Sequence, residues 1–280
     1  MNSIFEFTLK DKKLNTFFKH CDSVLQQSDT ALFKVSKRGI FVRVTDLEGF
    51  CSCETSIGVK GDPSFKLTQE CDAKILLVSL VNELKKAVRL KHTIVLLMRE
   101  DHQLIIRDQT ETVIESVEHR VRDFFVLSLR VFLLKSENSM QFKMINSEFS
   151  QMVTRATILS GVSGRIASFC AEPILDHPNR TKLVFGVESN GACKGTLSVD
   201  ATTTSDTATI LVVPKSRVFI YYLLTYLKRA IHILHSQYEY VMVTVSERGM
   251  MLHTEPRDGV RTIIAISAIC DVDKLHESCS

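Results

Sequence analysis

Apolar and polar positions keep the same order four times along the chain: alternation at the strand period, an apolar stripe at helical spacing, then strand-period runs separated by turn residues. In the first block Ile4-Phe5-Glu6-Phe7-Thr8-Leu9 alternates, and Asp11 is placed to accept from the free N–H groups that open a helix over 12–27. Leu14, Phe17, Phe18, Cys21, Val24 and Leu25 recur at helical spacing and form one apolar stripe. Strands over 30–36, 39–45 and 50–57 follow, divided by Arg38-Gly39 and by Asp46-Leu47-Glu48-Gly49, which is turn chemistry.

The later blocks repeat this order. A strand over 64–68 leads to a helix over 73–89 and strands over 93–99, 103–108 and 112–121. Residues 140–145 lead to a helix over 146–159 and strands over 165–171, 182–188 and 195–201. Residues 208–213 lead to a helix over 215–233 and strands over 240–247, 249–255 and 260–269. The helices thus begin near Asp11, Ala73, Asn146 and Lys215. Four such blocks predict an α+β protein of two similar domains, 1–121 and 140–280, each with two helices packed on antiparallel sheet, joined by a connector at 122–139.

A length of 280 residues and an apolar fraction of 45% suffice for two cores of this size. Met1–Lys10 alternates and carries Glu6, unlike a signal peptide, and the apolar stretch over 218–234 is interrupted by Lys228 and Arg229, which argues against a membrane span. The eight cysteines are scattered, and Cys51-Ser52-Cys53 has no second pair at zinc-ligand spacing, so reduced core thiols and no metal are expected. Gly161-Val162-Ser163-Gly164 follows a helix instead of opening one, so it does not read as a phosphate loop, and no nucleophile–base set stands out among the cysteines and histidines. No enzyme, catalytic residue or cofactor is predicted.

The net charge of +3 says little, but its distribution says more. The predicted helices carry Lys12, Lys13, Lys19, Lys74, Lys85, Lys86, Arg89, Arg155, Lys215, Arg217, Lys228 and Arg229 against Asp11, Asp22, Glu83 and Glu148. Twelve cations against four anions leave +8 on the helices. A solvated amphipathic face accounts for any one helix; an excess shared by all four points to a lining that faces phosphates and reads charge without reading bases.

With this order, Lys12-Lys13-Leu14-Asn15, Arg38-Gly39-Ile40-Phe41-Val42-Arg43-Val44-Thr45-Asp46, Ala73-Lys74-Ile75-Leu76 and Ser147-Glu148-Phe149 carry a resemblance to a known family. The chain resembles the DNA sliding clamps, the family of proliferating cell nuclear antigen (PCNA) and the herpesvirus polymerase processivity factors. Ser136-Glu137-Asn138-Ser139 and the block over 241–269 look more like the viral factors. It implies that the helices line a passage for duplex DNA, that the twelve cations above contact its backbone, and that the chain acts in the nucleus, a host nucleus if it is viral. It further implies that a short peptide from a DNA polymerase, or from another replication or repair protein, binds at the connector. Leu127, Leu129, Phe132 and Leu133 would supply that pocket, completed by Thr45, Gly49, Phe50, Ala265 and Ser267. An inward-facing edge strand explains the apolar connector equally well.

Two domains cannot enclose a duplex alone, so protomers are expected to join through sheet edges. One edge would carry Thr112, Val113, Ile114 and Glu115, the other Cys193, Gly195, Leu197 and Val199. The chain lacks the acidic tail common in cellular clamps, and its connector is less acidic, with Glu115, Glu118 and Asp123 interspersed with Arg120, Arg122 and Arg130; these departures favour a divergent or viral clamp and leave the identity of the partner peptide open. The expected function is a processivity factor that tethers a polymerase; the alternative within the same fold is one subunit of a heterotrimeric DNA-damage checkpoint clamp. A protein scaffold without DNA contact is the alternative from another class.

Overall fold

The duplication read from the sequence recurs in the hydrogen bonds. The computed structural model describes residues 3–46, 49–117, 138–160, 166–174, 177–189, 192–202, 208–235 and 238–269. The first half runs β1 (Ser3–Leu9), α1 (Asp11–Val24), β2 (Thr30–Ser36), β3 (Gly39–Thr45), β4 (Cys51–Gly58), β5 (Phe65–Leu67), β6 (Cys71–Leu76), α2 (Leu77–Leu90), β7 (Ile94–Arg99), β8 (Leu104–Arg107) and β9 (Glu111–Val113). The second half runs β10 (Ser139–Ile145), α3 (Asn146–Ser160), β11 (Ile166–Ile174), β12 (His177–Ser189), β13 (Ala192–Thr202), β14 (Ala208–Val212), β15 (Val218–Leu223), α4 (Leu224–His235), β16 (Tyr240–Ser246), β17 (Gly249–His253) and β18 (Val260–Ser267).

Sheet order matches strand for strand. β5-β1-β7-β8-β9 in the first half corresponds to β14-β10-β16-β17-β18 in the second, and β6-β2-β3-β4 corresponds to β15-β11-β12-β13. Even single bonds repeat: Val117 N–H donates to the Lys74 carbonyl of β6 at 3.0 Å, and Ile269 N–H donates to the Tyr221 carbonyl at the same position of β15 at 2.8 Å. The fold is therefore α+β with four helices among the described residues; there the β1–β5, β1–β7, β7–β8, β2–β3 and β3–β4 pairs and the β10–β14, β10–β16, β16–β17, β11–β12 and β12–β13 pairs are antiparallel, and Thr202 with Thr209 is a parallel bridge.

Two compact units result, one made of Met1–Phe125 with Pro256–Ile263, the other of Val126–Glu255 with Ile264–Ser280. In the first, Phe5 packs against Phe33 and Phe65, with ring centroids 6.4 and 5.8 Å apart. In the second, Phe169 stacks on Phe142 at 6.0 Å and meets Phe185 edge-on at 4.8 Å. Each cluster lies on the inward period-2 face of its strands, so burial of these large rings fixes the strand register. The described cysteines Cys21, Cys51, Cys53, Cys71 and Cys170 are free and buried; burial raises the Cys21 and Cys53 thiols above their usual range and moves Cys71 up to about 11.

Three expectations about helix starts change. Ala73–Leu76, read as the first turn of the second helix, is strand β6, held to β2 with Ala73 opposite Phe33 and Ile75 opposite Ala31. Likewise Val218–Leu223 is strand β15, paired with β11, and the fourth helix starts at Leu224 instead of Lys215. Both runs alternate buried and open positions, and each has an available partner edge, so the sheet captures them. Helix α1 opens with Lys10 at the capping position and has no side-chain cap, so Asp11 is the first helical residue and does not precede the helix.

Candidate nucleic-acid interface

Helices α1 and α2 pack on each other in the first unit, and α3 and α4 do so in the second. In α1 the stripe Leu14, Phe17, Cys21 and Val24 is buried, and in α2 Leu77, Leu80, Leu84 and Ala87 are buried. The remaining faces point away from the cores. Lys12, Lys19, Lys85, Lys86 and Arg89 are exposed there, and in the second unit so are Arg155 and Lys228. Arg229 is half-buried with its guanidinium 5.8 Å from the Tyr226 ring, and Lys86 lies 3.8 Å from Glu83.

Four predicted cations have other placements. Lys74 is a half-buried residue of β6, while Lys215 and Arg217 stand in the turn between β14 and β15. Arg217 Nε donates to Cys170 Sγ at 3.1 Å, and its guanidinium sits 5.3 Å from the Phe219 ring. Lys13 is on α1, but its ammonium donates to Asp62 Oδ2 at 2.8 Å and lies 4.8 Å from the Phe7 ring. That bond, with a second from Ser64, holds the Asp62 carboxyl at about 2, below the usual carboxylate range. With helix bounds as observed, nine cations face four anions, leaving +5 on the helices where the sequence reading placed +8.

In each unit one helix is anchored by a buried polar contact that sequence patterning had not singled out. In the first unit His20, fully buried, hydrogen-bonds through Nδ1 to Thr262 Oγ1, and Thr262 lies 3.4 Å from Thr55 Oγ1. Nearby, Thr16 Oγ1 donates to Asp258 Oδ2 at 2.8 Å, so the segment Pro256–Ile263 is tied to α1 twice. Burial lowers the His20 imidazole to about 4, which keeps it neutral at ordinary pH. In the second unit Asn146 Nδ2 donates to the carbonyls of Leu234 at 2.8 Å and Tyr238 at 3.1 Å, joining the start of α3 to the end of α4. The signal for both was a polar residue on an otherwise apolar helix face.

Aligned at their first residues, α1 and α3 show what the duplication has changed. Lys12, Lys19 and His20 of α1 correspond to Ser147, Thr154 and Arg155 of α3. Along α3 the residues Ser147, Ser150, Gln151, Thr154 and Arg155 line an open groove of about 270 Å³. Among the described lining residues there is no carboxylate. Ser150 is 4% exposed and its hydroxyl has no hydrogen-bond partner, while Thr154 Oγ1 donates to the Ser150 carbonyl at 2.8 Å.

Of the residues predicted for a peptide pocket, Leu127, Leu129, Phe132 and Leu133 lie outside the described residues, as does most of the connector. Thr45 ends β3, and Gly49, with φ of +79°, and Phe50, 38% exposed, belong to the turn before β4. That turn is closed by Asp46, whose Oδ1 accepts from Cys51 N–H at 2.6 Å. In the second unit Ala265 is fully buried and Ser267 half-buried.

Among the predicted edge residues, Thr112 and Val113 belong to β9, which ends its sheet, and Val113 is 52% exposed. Ile114 and Glu115 are already engaged: Ile114 is buried, its N–H donating to the Leu104 carbonyl at 2.8 Å, and the Glu115 carbonyl accepts from Leu76 N–H at 2.8 Å. Cys193, Gly195, Leu197 and Val199 run along β13, which pairs with β12 on one side and, among the described residues, has one bridge on the other, at Thr202.

Among the described residues no group of His, Cys, Asp and Glu is arranged to hold a metal, and no helix is long and apolar enough to cross a membrane. No protein-family model and no curated protein matches the chain. Among solved structures it is similar to the crystal structure of PCNA from Thermococcus kodakaraensis, with a TM-score of 0.70 at 16% identity over 95% of this chain and all of that one. With its duplicated strand–helix order and matching sheet topology, the chain has the PCNA-like sliding-clamp fold.

Proposed function

We infer that this protein is a DNA polymerase processivity factor that holds duplex DNA without reading its sequence. The observation that carries this reading is a sliding-clamp fold whose helices turn Lys12, Lys19, Lys85, Arg89, Arg155 and Lys228 outward. Their ammonium and guanidinium groups neutralise backbone phosphates and release counterions, and because phosphates are identical at every step the grip permits sliding. A polymerase tethered in this way stays at high effective concentration near the primer end, so each dissociation is followed by rapid rebinding. No bond is made or broken by the protein itself.

Its partners are duplex DNA, a polymerase or other replication protein delivering a short peptide to the connector region, and clamp-like protomers. Protomers join by adding β13 of one copy to the β9 edge of the next through Thr112 and Val113. The site of action is the nucleus, where replication takes place.

Light scattering of the purified chain with and without a 30-base-pair duplex, together with binding measured across a salt series, tests this reading. Salt-sensitive binding that is indifferent to sequence supports it. Absence of duplex binding overturns it, and assembly that requires two different clamp-like chains assigns the protein to a checkpoint ring.

A further inference from the structure

β6 and β15 are matching end strands of the two halves, and their outer edges are finished differently. On β6, Leu76 N–H donates to the Glu115 carbonyl at 2.8 Å, the Lys74 carbonyl accepts from Val117 N–H at 3.0 Å, and the Asp72 carbonyl accepts from His102 Nδ1 at 3.0 Å. On β15 the Tyr221 carbonyl accepts from Ile269 N–H, and the next outward position is Phe219. Alternate residues of a strand turn their N–H and C=O groups to the same edge, so Phe219 presents both outward while Val218, Ile220 and Tyr222 face β11. Among the described residues nothing pairs with the Phe219 backbone on that edge.

The side chains at these positions differ as well. Glu70 and Asp72 of the first half correspond to Arg217 and Phe219 of the second. Phe219 is 38% exposed and meets the Tyr221 ring edge-on at 4.8 Å. Arg217 is held 5.3 Å from the Phe219 ring, with its Nε donating to Cys170 Sγ at 3.1 Å. Asn138 fixes the turn before it, donating from Nδ2 to Ser216 Oγ at 2.8 Å and accepting at Oδ1 from Ser216 N–H at 3.1 Å. Arg217 and Lys215 are both exposed, and among the described residues neither has a carboxylate in ion-pair contact; Glu172 acts on Arg217 from farther away.

We propose that the β15 edge is a docking site for an extended acidic peptide of another protein, which adds a strand at Phe219, lays an apolar side chain on the Phe219 ring and sets a carboxylate against Arg217 and Lys215. Backbone pairing supplies the grip, and the ring and the two cations supply the selection. A peptide fits this edge better than duplex DNA does, because the outward Phe219 carbonyl needs a donor and a sugar–phosphate backbone has none. The β6 edge repels such a peptide through Glu70 and Asp72, so the site belongs to the second unit. It is separate from the pocket expected at the connector and does not rest on the clamp reading.

The full chain is titrated with the capped peptide Glu-Asp-Val-Phe-Val-Thr and with a counterpart in which lysines replace the acids, while backbone amide shifts and hydrogen exchange are followed. The acidic peptide moves the amides of Phe219 and Tyr221 and slows exchange at Phe219, and the lysine peptide binds about 10-fold more weakly. Arg217→Glu reverses that preference. Phe219→Pro removes the outward N–H without breaking a bond to β11 and abolishes binding. Phe219→Ala keeps the N–H and weakens binding about 3-fold. Far-ultraviolet circular dichroism checks that the variants fold, and exchange at Phe219 in the natural protein decides the matter even if Phe219→Pro does not. Slow exchange at Phe219 in the free chain, which means that the chain's own residues fill the edge, overturns the proposal. Equal binding of the two peptides overturns it, as do shifts at Phe219 produced by duplex DNA and not by the acidic peptide. Acidic-peptide shifts at Phe219 in a protein that does not bind duplex support the docking site and count against the clamp reading alone.

Discussion

Helices α1 and α3 occupy the same place in two copies of one design, yet they present different chemistry to solvent. On α1, Lys12 and Lys19 are exposed charges, and the next position, His20, turns into the core to bond Thr262. On α3 the same positions hold Ser147 and Thr154, while Arg155 stays outside and no charge is buried. At the first helical residue the contrast reverses: Asp11 is exposed, whereas Asn146 is buried and bonded to the Leu234 carbonyl in the last turn of α4 and the Tyr238 carbonyl beyond it. Duplication preserved the apolar stripe because two cores of the same shape must be filled. Positions that fill no core diverged, on α1 toward point charges and on α3 toward hydroxyl and amide groups.

The largest expected effect separates the units by charge. Lys85→Gln/Lys86→Gln/Arg89→Gln removes three cations from α2, and duplex affinity near 0.1 M salt should fall on the order of 100-fold, with the salt slope dropping by about 2 to 3. Arg155→Gln/Lys228→Gln/Arg229→Gln makes the matching change in the second unit. Equal losses would mean that both helix pairs touch the backbone, and a loss confined to one triple variant would break the symmetry.

A second expected effect belongs to the first unit alone. His20 is held near 4 when folded against 6.5 when free, so the unfolded chain binds the proton more readily. Its contribution is whole above about pH 6.5 and is lost as pH falls toward 4, an integrated change of about 3 kcal/mol. Urea midpoints measured across that window should fall steeply, and His20→Gln should flatten the profile. Asp62 acts in a lower window with the same sign: its depressed carboxyl keeps its stabilisation above about 4 and loses it as pH approaches 2. If His20→Gln leaves the upper window unchanged, the anchor of Pro256–Ile263 on α1 is not what titrates.

The smallest effect tests the anchor of the second unit. Asn146→Ala leaves the Leu234 and Tyr238 carbonyls without their donor and should cost about 2 kcal/mol of unfolding free energy, read from denaturant melts. Asp11→Ala, at the matching but exposed position, should change the same midpoint by less than about 0.5 kcal/mol. Equal costs would remove the contrast between the helix starts.

Strands β2 and β3 were legible to the residue because Arg38-Gly39 marks their turn and Gly39, with φ of +149°, approaches the Ile57 carbonyl so closely that a side chain would strike it. The start of α3 was legible too, since Asn146 follows a strand that alternates cleanly. The starts of α2 and α4 were not. Ala73–Leu76 and Val218–Leu223 suit either period over so short a run, and no cap marks the true beginning of α2. That error carried Lys74, Lys215 and Arg217 onto helices they do not occupy. Among site residues, cations at helical spacing could be read directly, but the α3 groove could not, because Ser, Gln and Thr on a polar helix face have no signature until their neighbours are known.

The amino-acid order by itself determined the repeat, the α+β class and the excess of cations on amphipathic helices, all of which depend on spacing along the chain and on the geometry of a single strand or helix. Tertiary structure alone decided where β6 ends and α2 begins, that Lys13 is committed to Asp62, that His20 is buried against Thr262 and that Ser150 lies beneath a groove. Those outcomes require hydrogen-bond partners and packing surfaces far away in sequence, and the local period carries no information about which distant group will arrive.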